Sequence, residues 1–232
     1  MRPANTVGLV IERKRLPHEQ DGLMWLCPKC GEKVYEEYFH LTNLVTQLNV
    51  ISAGHCAKLT QLATHNGVTV TTSAGVNRNT FDLLGTQQAD ALRAPLKSSA
   101  SLVQPYNLLY NSDTQMALTL TSTEGYLTQT VGETACFVGK VSGNLCGQIE
   151  AVGISGTVTR FDGTSKSFNS LIRMSRTTQP GDSGAPVRFG FTALGLVDFA
   201  DVSHSGHAVY AAIDKVQTAM DVKICITASC GL

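Results

Sequence analysis

The sequence predicts an all-β protein that closes on one short helix, and three features predict it. Charged residues make up only 16% of the chain against 43% hydrophobic, with 21 Gly, so a substantial apolar core is available and little surface is strongly solvated. Alternating apolar and polar residues recur in short runs, which is the period of a half-buried strand. Turn signals separate those runs: Asn66-Gly67, Asp162-Gly163 and Pro180-Gly181.

The strand candidates are Val68-Thr-Val-Thr, Met116-Ala-Leu-Thr-Leu-Thr, Gly156-Thr-Val-Thr-Arg-Phe and Ala193-Leu-Gly-Leu-Val. From Ala211 to Val222 the period changes: Ala212, Ile213, Val216 and Met220 fall on one helical face. Composition shifts near residue 50. Residues 1–49 hold a denser share of the charge and the single Trp25, whereas residues 50–232 are rich in Thr, Ser, Gly, Ala and Val. The expected organisation is therefore a fragment at 1–49, not an independent domain, and one all-β domain at 50–232.

Eighteen basic and eighteen acidic residues give no net charge, which removes the simple electrostatic case for nucleic acid or an anionic membrane as partner. No run approaches the roughly 20 apolar residues of a spanning helix. The first residues carry no apolar stretch before Glu12-Arg-Lys-Arg15, so no secretory signal is visible. Seven cysteines leave at least one outside any intrachain disulfide. Cys136/Cys146 and Cys225/Cys230 have spacings suited to local pairs, as in an oxidising compartment, while Cys27-Pro-Lys-Cys30 is a metal-knuckle spacing.

Gly181-Asp182-Ser183-Gly184-Ala185-Pro186 is the sharpest motif. A serine hydroxyl attacks only when a neighbouring base accepts its proton. The developing oxyanion also needs backbone N–H donors on a tight turn that glycine permits. Gly181 and Ser183 are the candidate donors, and the bland alternative is a surface turn. Ser52-Ala-Gly-His55-Cys56 supplies a histidine just after the apolar run Leu48–Ile51, so Ser183 is the candidate nucleophile and His55 its base.

With both motifs in place, residues 50–232 resemble the chymotrypsin superfamily, and within it the bacterial streptogrisin and α-lytic branch. That resemblance implies a double β-barrel with a C-terminal helix, serine endopeptidase activity on protein or peptide substrates, no cofactor, a monomer and secretion. Cys136-Phe-Val-Gly-Lys-Val-Ser-Gly-Asn-Leu-Cys146-Gly147 resembles the branch's hairpin, which implies a Cys136–Cys146 disulfide. Gly195–Ala200 resembles the strand that pairs with substrate. By the same resemblance Thr177, Val197, Ala200 and Ala208 line the primary pocket, with no acid at its base and Ala208 narrowing it, so a small or medium apolar P1 residue is expected. The residue next to the histidine usually pairs with an upstream cysteine in such enzymes; Tyr38–Thr42 offers none to Cys56.

A triad needs a carboxylate to orient the histidine. Asp82, Asp90 and Asp113 lie between His55 and the hairpin. Asp90-Ala91-Leu92 is nearest to the expected pattern and is preferred, and Asp82 is the alternative.

Residues 2–49 resemble the C-terminal part of bacterial 3-hydroxyanthranilate 3,4-dioxygenase, an iron-dependent cupin. The resemblance rests on Thr6-Val-Gly-Leu-Val-Ile-Glu12, Asp21-Gly-Leu-Met-Trp-Leu-Cys27 and Val34-Tyr-Glu-Glu-Tyr. It implies substrate-contact positions at Arg2 and Glu12 and half of a four-cysteine knuckle at Cys27 and Cys30. The family's iron ligands would precede this stretch, and two thiolates do not complete a tetrahedral site, with His40 or Cys56 as improvised additions; no bound metal is expected. Three readings follow in order: a serine endopeptidase, a catalytically inactive protease-like domain with an incomplete first barrel, and a remnant dioxygenase or metal-binding fragment.

Overall fold

In this computed structural model, residues 21–26, 33–39, 49–62, 64–65, 68–69, 71–73, 75–96, 108–111 and 116–226 are described. The chain divides into two units, Met1–Val45 and Thr46–Leu232. Among the described residues the first contains one antiparallel hairpin, β1 (Asp21–Leu26) with β2 (Lys33–Phe39), its register interrupted at Trp25/Leu26.

The second unit begins with β3 (Asn49–Ser52), which leads into a single 3₁₀ turn at Gly54–Cys56. The short strands β4 (Thr64–His65), β5 (Val68–Thr69) and β6 (Arg78–Asn79) follow, then β7 (Leu92–Pro95). β3, β7 and β6 form one antiparallel sheet, β4 pairs with β5, and β8 (Leu108–Asn111) pairs with β9 (Met116–Thr119). Among the described residues this half is a three-stranded sheet with hairpins rather than a closed ring of ladders.

The other half closes. β10 (Ser122–Thr123) joins its edge, followed by β11 (Thr134–Gly139), β12 (Gly143–Thr159), β13 (Ser165–Thr177), β14 (Pro186–Phe189), β15 (Thr192–Asp201) and β16 (His207–Ala212). Ladders run β15-β14-β11-β12-β13-β16, and β16 pairs back to β15, so these six strands close into an antiparallel barrel. β12 and β13 are long enough to serve this barrel and reach beyond it. Three register shifts along their ladder bend them, the usual consequence of an inserted residue. At Gly156 a Cβ would stand 2.2 Å from Phe199 Cζ, so only glycine lets that ring lie on the strand.

Among the described residues two large apolar clusters and a small one of Val76, Leu92 and Ala94 fill this arrangement. One lies within the barrel and includes Phe137, Ile149, Ile172, Met174, Val187 and Tyr210. The second joins Phe81, Ala89 and Ala91 of the first half to Phe168, Leu171, Val209 and Val216, with the Phe81 and Phe168 rings 5.7 Å apart. The expected helix is present as α1 (Ile213–Met220), with Ile213, Val216 and Met220 buried. Its terminal carbonyls receive Arg78 Nε at Ala219 O and Arg93 Nη1 at Met220 O (2.8 Å), cations where the helix dipole favours them. Those arginines sit on β6 and β7, so α1 also ties the first half to the barrel.

Cys136 and Cys146 face each other across β11 and β12 and are bonded, as the resemblance implied. The Cys136→Ala/Cys146→Ala double variant is expected to lose about 2–4 kcal/mol of unfolding free energy. Urea denaturation of the parent and the double variant, both without reductant, checks this.

Candidate active site

His55 enters the site on the 3₁₀ turn after β3, and the approach there is close. A Cβ at Gly54 would stand 2.6 Å from Asp90 Oδ1 and 2.7 Å from Asn79 Oδ1, so a larger residue would push the turn away. Asn79 fastens the turn from below: its Nδ2 donates to Gly54 O (2.9 Å) and Ala57 O (2.7 Å), while its Oδ1 accepts from Phe81 N–H. Thr80 then fixes the Asp90 segment. Its N–H and hydroxyl donate to Ala91 O, and its Oγ1 accepts from Ala91 N–H (2.9 Å). Asn79 and Thr80 were not singled out from the sequence; their role depends on contacts far apart in the chain.

Asp90 lies fully buried between Ala89 and Ala91. Its carboxylate accepts His55 Nδ1–H at 2.5 Å and the His55 backbone N–H at 3.1 Å. On the opposite side of the ring, His55 Nε2 lies 2.9 Å from Ser183 Oγ. Ser183 Oγ also lies 3.3 Å from Asp198 O. Burial pulls the His55 imidazole down, but the hydrogen bond to Asp90, the nearby Cys56 thiol and their charges push it up to about 10. Asp82 is elsewhere: it pairs with Arg160 at 3.0 Å, whose guanidinium stacks over Phe81. Asp113 lies outside the described residues.

The Ser183 turn is held by Asp182. This buried carboxylate accepts from Val141 N–H (2.8 Å), Ser142 N–H (3.1 Å), Ser142 Oγ (2.5 Å), Gln179 N–H (3.0 Å) and Thr178 Oγ1 (3.3 Å). Burial raises its carboxyl, but these donors outweigh that and hold it below the usual range. Within the turn, Asp182 N–H bonds Gln179 O, Gly184 N–H bonds Val197 O and Ala185 N–H bonds Asp182 O. The N–H groups of Gly181 and Ser183 make no hydrogen bond among the described residues. Both glycines have positive φ, +103° at Gly181 and +82° at Gly184, and a Cβ at Gly184 would stand 2.1 Å from Ser52 Oγ.

The pocket candidates are brought to one level by register. Ala200 pairs with Ala208, and both Thr177 and Asp201 pair with His207. Thr177 is exposed and Ala200 half-buried, whereas Val197 and Ala208 are fully buried with the barrel cluster. Beside them runs an ionic chain absent from the sequence expectations. Arg173 joins Glu150 (3.2 Å) and Asp201 (2.9 Å), His207 joins Glu150 (2.8 Å), and His204 joins Asp201 (2.9 Å). A cleft of about 610 Å³ opens on this chain, lined in part by Gln148, Ser175 and Ser203, and not on the His55–Ser183 pair. Cys56 is an exposed free thiol, 3.9 Å from His55 Nε2. Arg2, Glu12, Cys27, Cys30 and His40 lie outside the described residues.

Replacing Asp182 by Ala should cost about 3 kcal/mol, because several buried donors lose one charged acceptor. Its lowered carboxyl contributes stability above the unfolded carboxylate range, lost as pH falls below about 4. Acid titration of thermal stability is expected to show this slope in the parent and a shallower one in Asp182→Asn.

Residues 1–54 match the family model described as 3-hydroxyanthranilic acid dioxygenase. The 3-hydroxyanthranilate 3,4-dioxygenase of Xanthomonas campestris pv. campestris is 62% identical over 45 residues, 19% of this chain and 26% of that protein. The Danio rerio enzyme is 53% identical over 47 residues, 20% of this chain and 16% of its own. The chain thus spans about a quarter or less of the curated relatives it matches. The match runs through Gly54 and so includes β3.

Among solved structures, Nocardiopsis protease superposes with a TM-score of 0.59 at 21% identity, over 79% of this chain and 88% of its own. Cellulomonas bogoriensis chymotrypsin gives 0.57 at 20% identity, over 76% and 85%. Thermobifida fusca protease A gives 0.55 at 23% identity, over 75% and 82%. At these identities the likeness concerns the fold, and the fold of this chain is that of the chymotrypsin-like serine proteases, preceded by a segment similar to part of 3-hydroxyanthranilate dioxygenases.

Proposed function

We propose that this chain is a serine endopeptidase in which Ser183, His55 and Asp90 form the triad. The observation that carries the reading is the continuous hydrogen-bonded line from Asp90 Oδ2 through both nitrogens of His55 to Ser183 Oγ, at 2.5 Å and 2.9 Å, beside two unused N–H groups on the same turn.

In this reading Ser183 Oγ adds to the scissile carbonyl carbon while His55 Nε2 takes its proton. The Gly181 and Ser183 N–H groups hold the oxyanion that forms. Asp90 stabilises the imidazolium that forms. The tetrahedral intermediate collapses, the C–N bond breaks, and His55 returns the proton to the departing amine. Water then attacks the acyl-enzyme by the same proton path, releasing the carboxylic acid and restoring Ser183.

The enzyme needs no cofactor, acts as a monomer on proteins or peptides, and makes no use of nucleic acid or membrane. Its Cys136–Cys146 disulfide suits secretion. Thr177 at the pocket base with Ala200 and Ala208 supports a small or medium apolar P1 residue; a peptide-library profile dominated by Lys or Arg at P1 would refute that preference.

A fluorophosphonate is expected to label the parent at Ser183 and leave Ser183→Ala unlabelled. His55→Ala and Asp90→Asn should each lower kcat by about 10⁴-fold, while Asp82→Asn stays within about threefold because its partner is Arg160. An unlabelled but folded parent would return the chain to the reading of a protease-like domain without catalysis. Only neutral imidazole accepts the serine proton, and His55 is raised above its ordinary value. The rising limb of kcat/KM is therefore expected above pH 6.5, and a limb below that value would contradict the strength assigned to the Asp90 pair.

A further inference from the structure

A second buried carboxyl group stands in the site with no part in the chemistry just described. Asp198 is fully buried, and neither of its side-chain oxygens has a hydrogen-bond partner among the described residues. It lies in β15 between Val197 and Phe199, where the ladder to β16 shifts register. Such a bulge re-aims a side chain that regular alternation would direct elsewhere. Its own carbonyl oxygen lies 3.3 Å from Ser183 Oγ. The groups that act on its carboxyl electrostatically come from two other segments: Asp90 before β7, and His55 with Cys56 on the turn after β3.

An ionised carboxylate, buried and unpaired beside another carboxylate, carries both a desolvation cost and like-charge repulsion. A neutral acid avoids both. We propose that Asp198 is a positioning residue that remains protonated at neutral pH, so that Asp90 is the single negative charge behind His55. This rests on the triad reading for its catalytic meaning, but the protonation itself does not. Burial foremost, and then the Asp90 charge, push the Asp198 carboxyl well above the usual range, opposed by the nearby His55. With Asp198 neutral, the base feels one carboxylate; ionising Asp198 adds a second charge that holds the imidazole in its protonated, inactive form.

Infrared spectroscopy of the ligand-free protein at neutral pH tests this without requiring turnover. The difference spectrum of the parent minus Asp198→Asn should contain the C=O stretch of a protonated carboxylic acid, and only carboxylate bands would overturn the proposal. If Asp198→Asn does not fold, the parent labelled with ¹³Cγ-aspartate serves instead. One carboxyl carbon should keep its protonated shift at neutral pH, and titration of every aspartate in the acid range would overturn the proposal. Thermal stability gives an independent sign. The raised group favours the native state below the unfolded carboxylate range, near pH 4, and that contribution is lost as pH rises. The melting temperature of Asp198→Asn should therefore gain on the parent between pH 4 and 8, whereas a constant difference overturns the proposal.

In the active enzyme, Asp198→Asn should leave the rising limb of kcat/KM in place. A downward shift of about one unit would mean that an anionic Asp198 had been raising His55. A parent that shows the protonated band but no fluorophosphonate labelling sinks the endopeptidase reading and leaves this one standing.

Discussion

The hydrogen bond between His55 and a wholly buried Asp90 is the constraint around which the site is built. A carboxylate without solvent is stable only where donors and an opposing charge meet it, and His55 supplies a backbone N–H and a ring N–H together. For that to happen the turn after β3 must come within contact of the Asp90 segment, which is why Gly54 has no room for a Cβ. Asn79 and Thr80 hold the two segments at that separation through backbone contacts. The apolar cluster containing Phe81, Ala89 and Ala91 then packs this assembly against the closed barrel that carries Ser183.

The barrel holds the Ser183 turn rigid. Asp182 turns five donors from two loops onto one carboxylate, so the turn bearing Ser183 cannot shift without exposing buried N–H groups. Gly181 and Gly184 supply the positive φ values of this turn, and the Gly181 and Ser183 N–H groups make no hydrogen bond among the described residues. The first half, by contrast, is built from short ladders, and its attachment combines side chains, Arg78 and Arg93 on the end of α1 and Phe81 on Phe168, with a backbone bond from Asn169 N–H to Gln87 O (2.9 Å).

The N-terminal match to dioxygenases ends one residue before His55, so β3 falls within sequence of one resemblance while serving the fold of the other. The physical demand on β3 is modest. It must pair with β7 through Asn49↔Pro95 to Ser52↔Leu92 and rest Ile51 on the cluster, which many apolar tetrapeptides satisfy.

The sequence by itself determined the local chemistry: the Gly-Asp-Ser-Gly turn, the His55 motif, the Cys136–Cys146 hairpin, the single helix and the strand-rich character of residues 50–232, because each is written in contiguous residues with fixed spacing. It also left a specific signal unread, an aspartate in the otherwise apolar run Ala193–Phe199. Only the tertiary structure shows that Asp90 is buried against His55 while Asp82 meets Arg160, because those contacts join segments distant in the chain. The same holds for Asn79, Thr80, the Asp182 clamp and the placement of Asp198 beside Asp90. Those depend on contacts between segments tens of residues apart, and no local period or turn propensity encodes which of them meet.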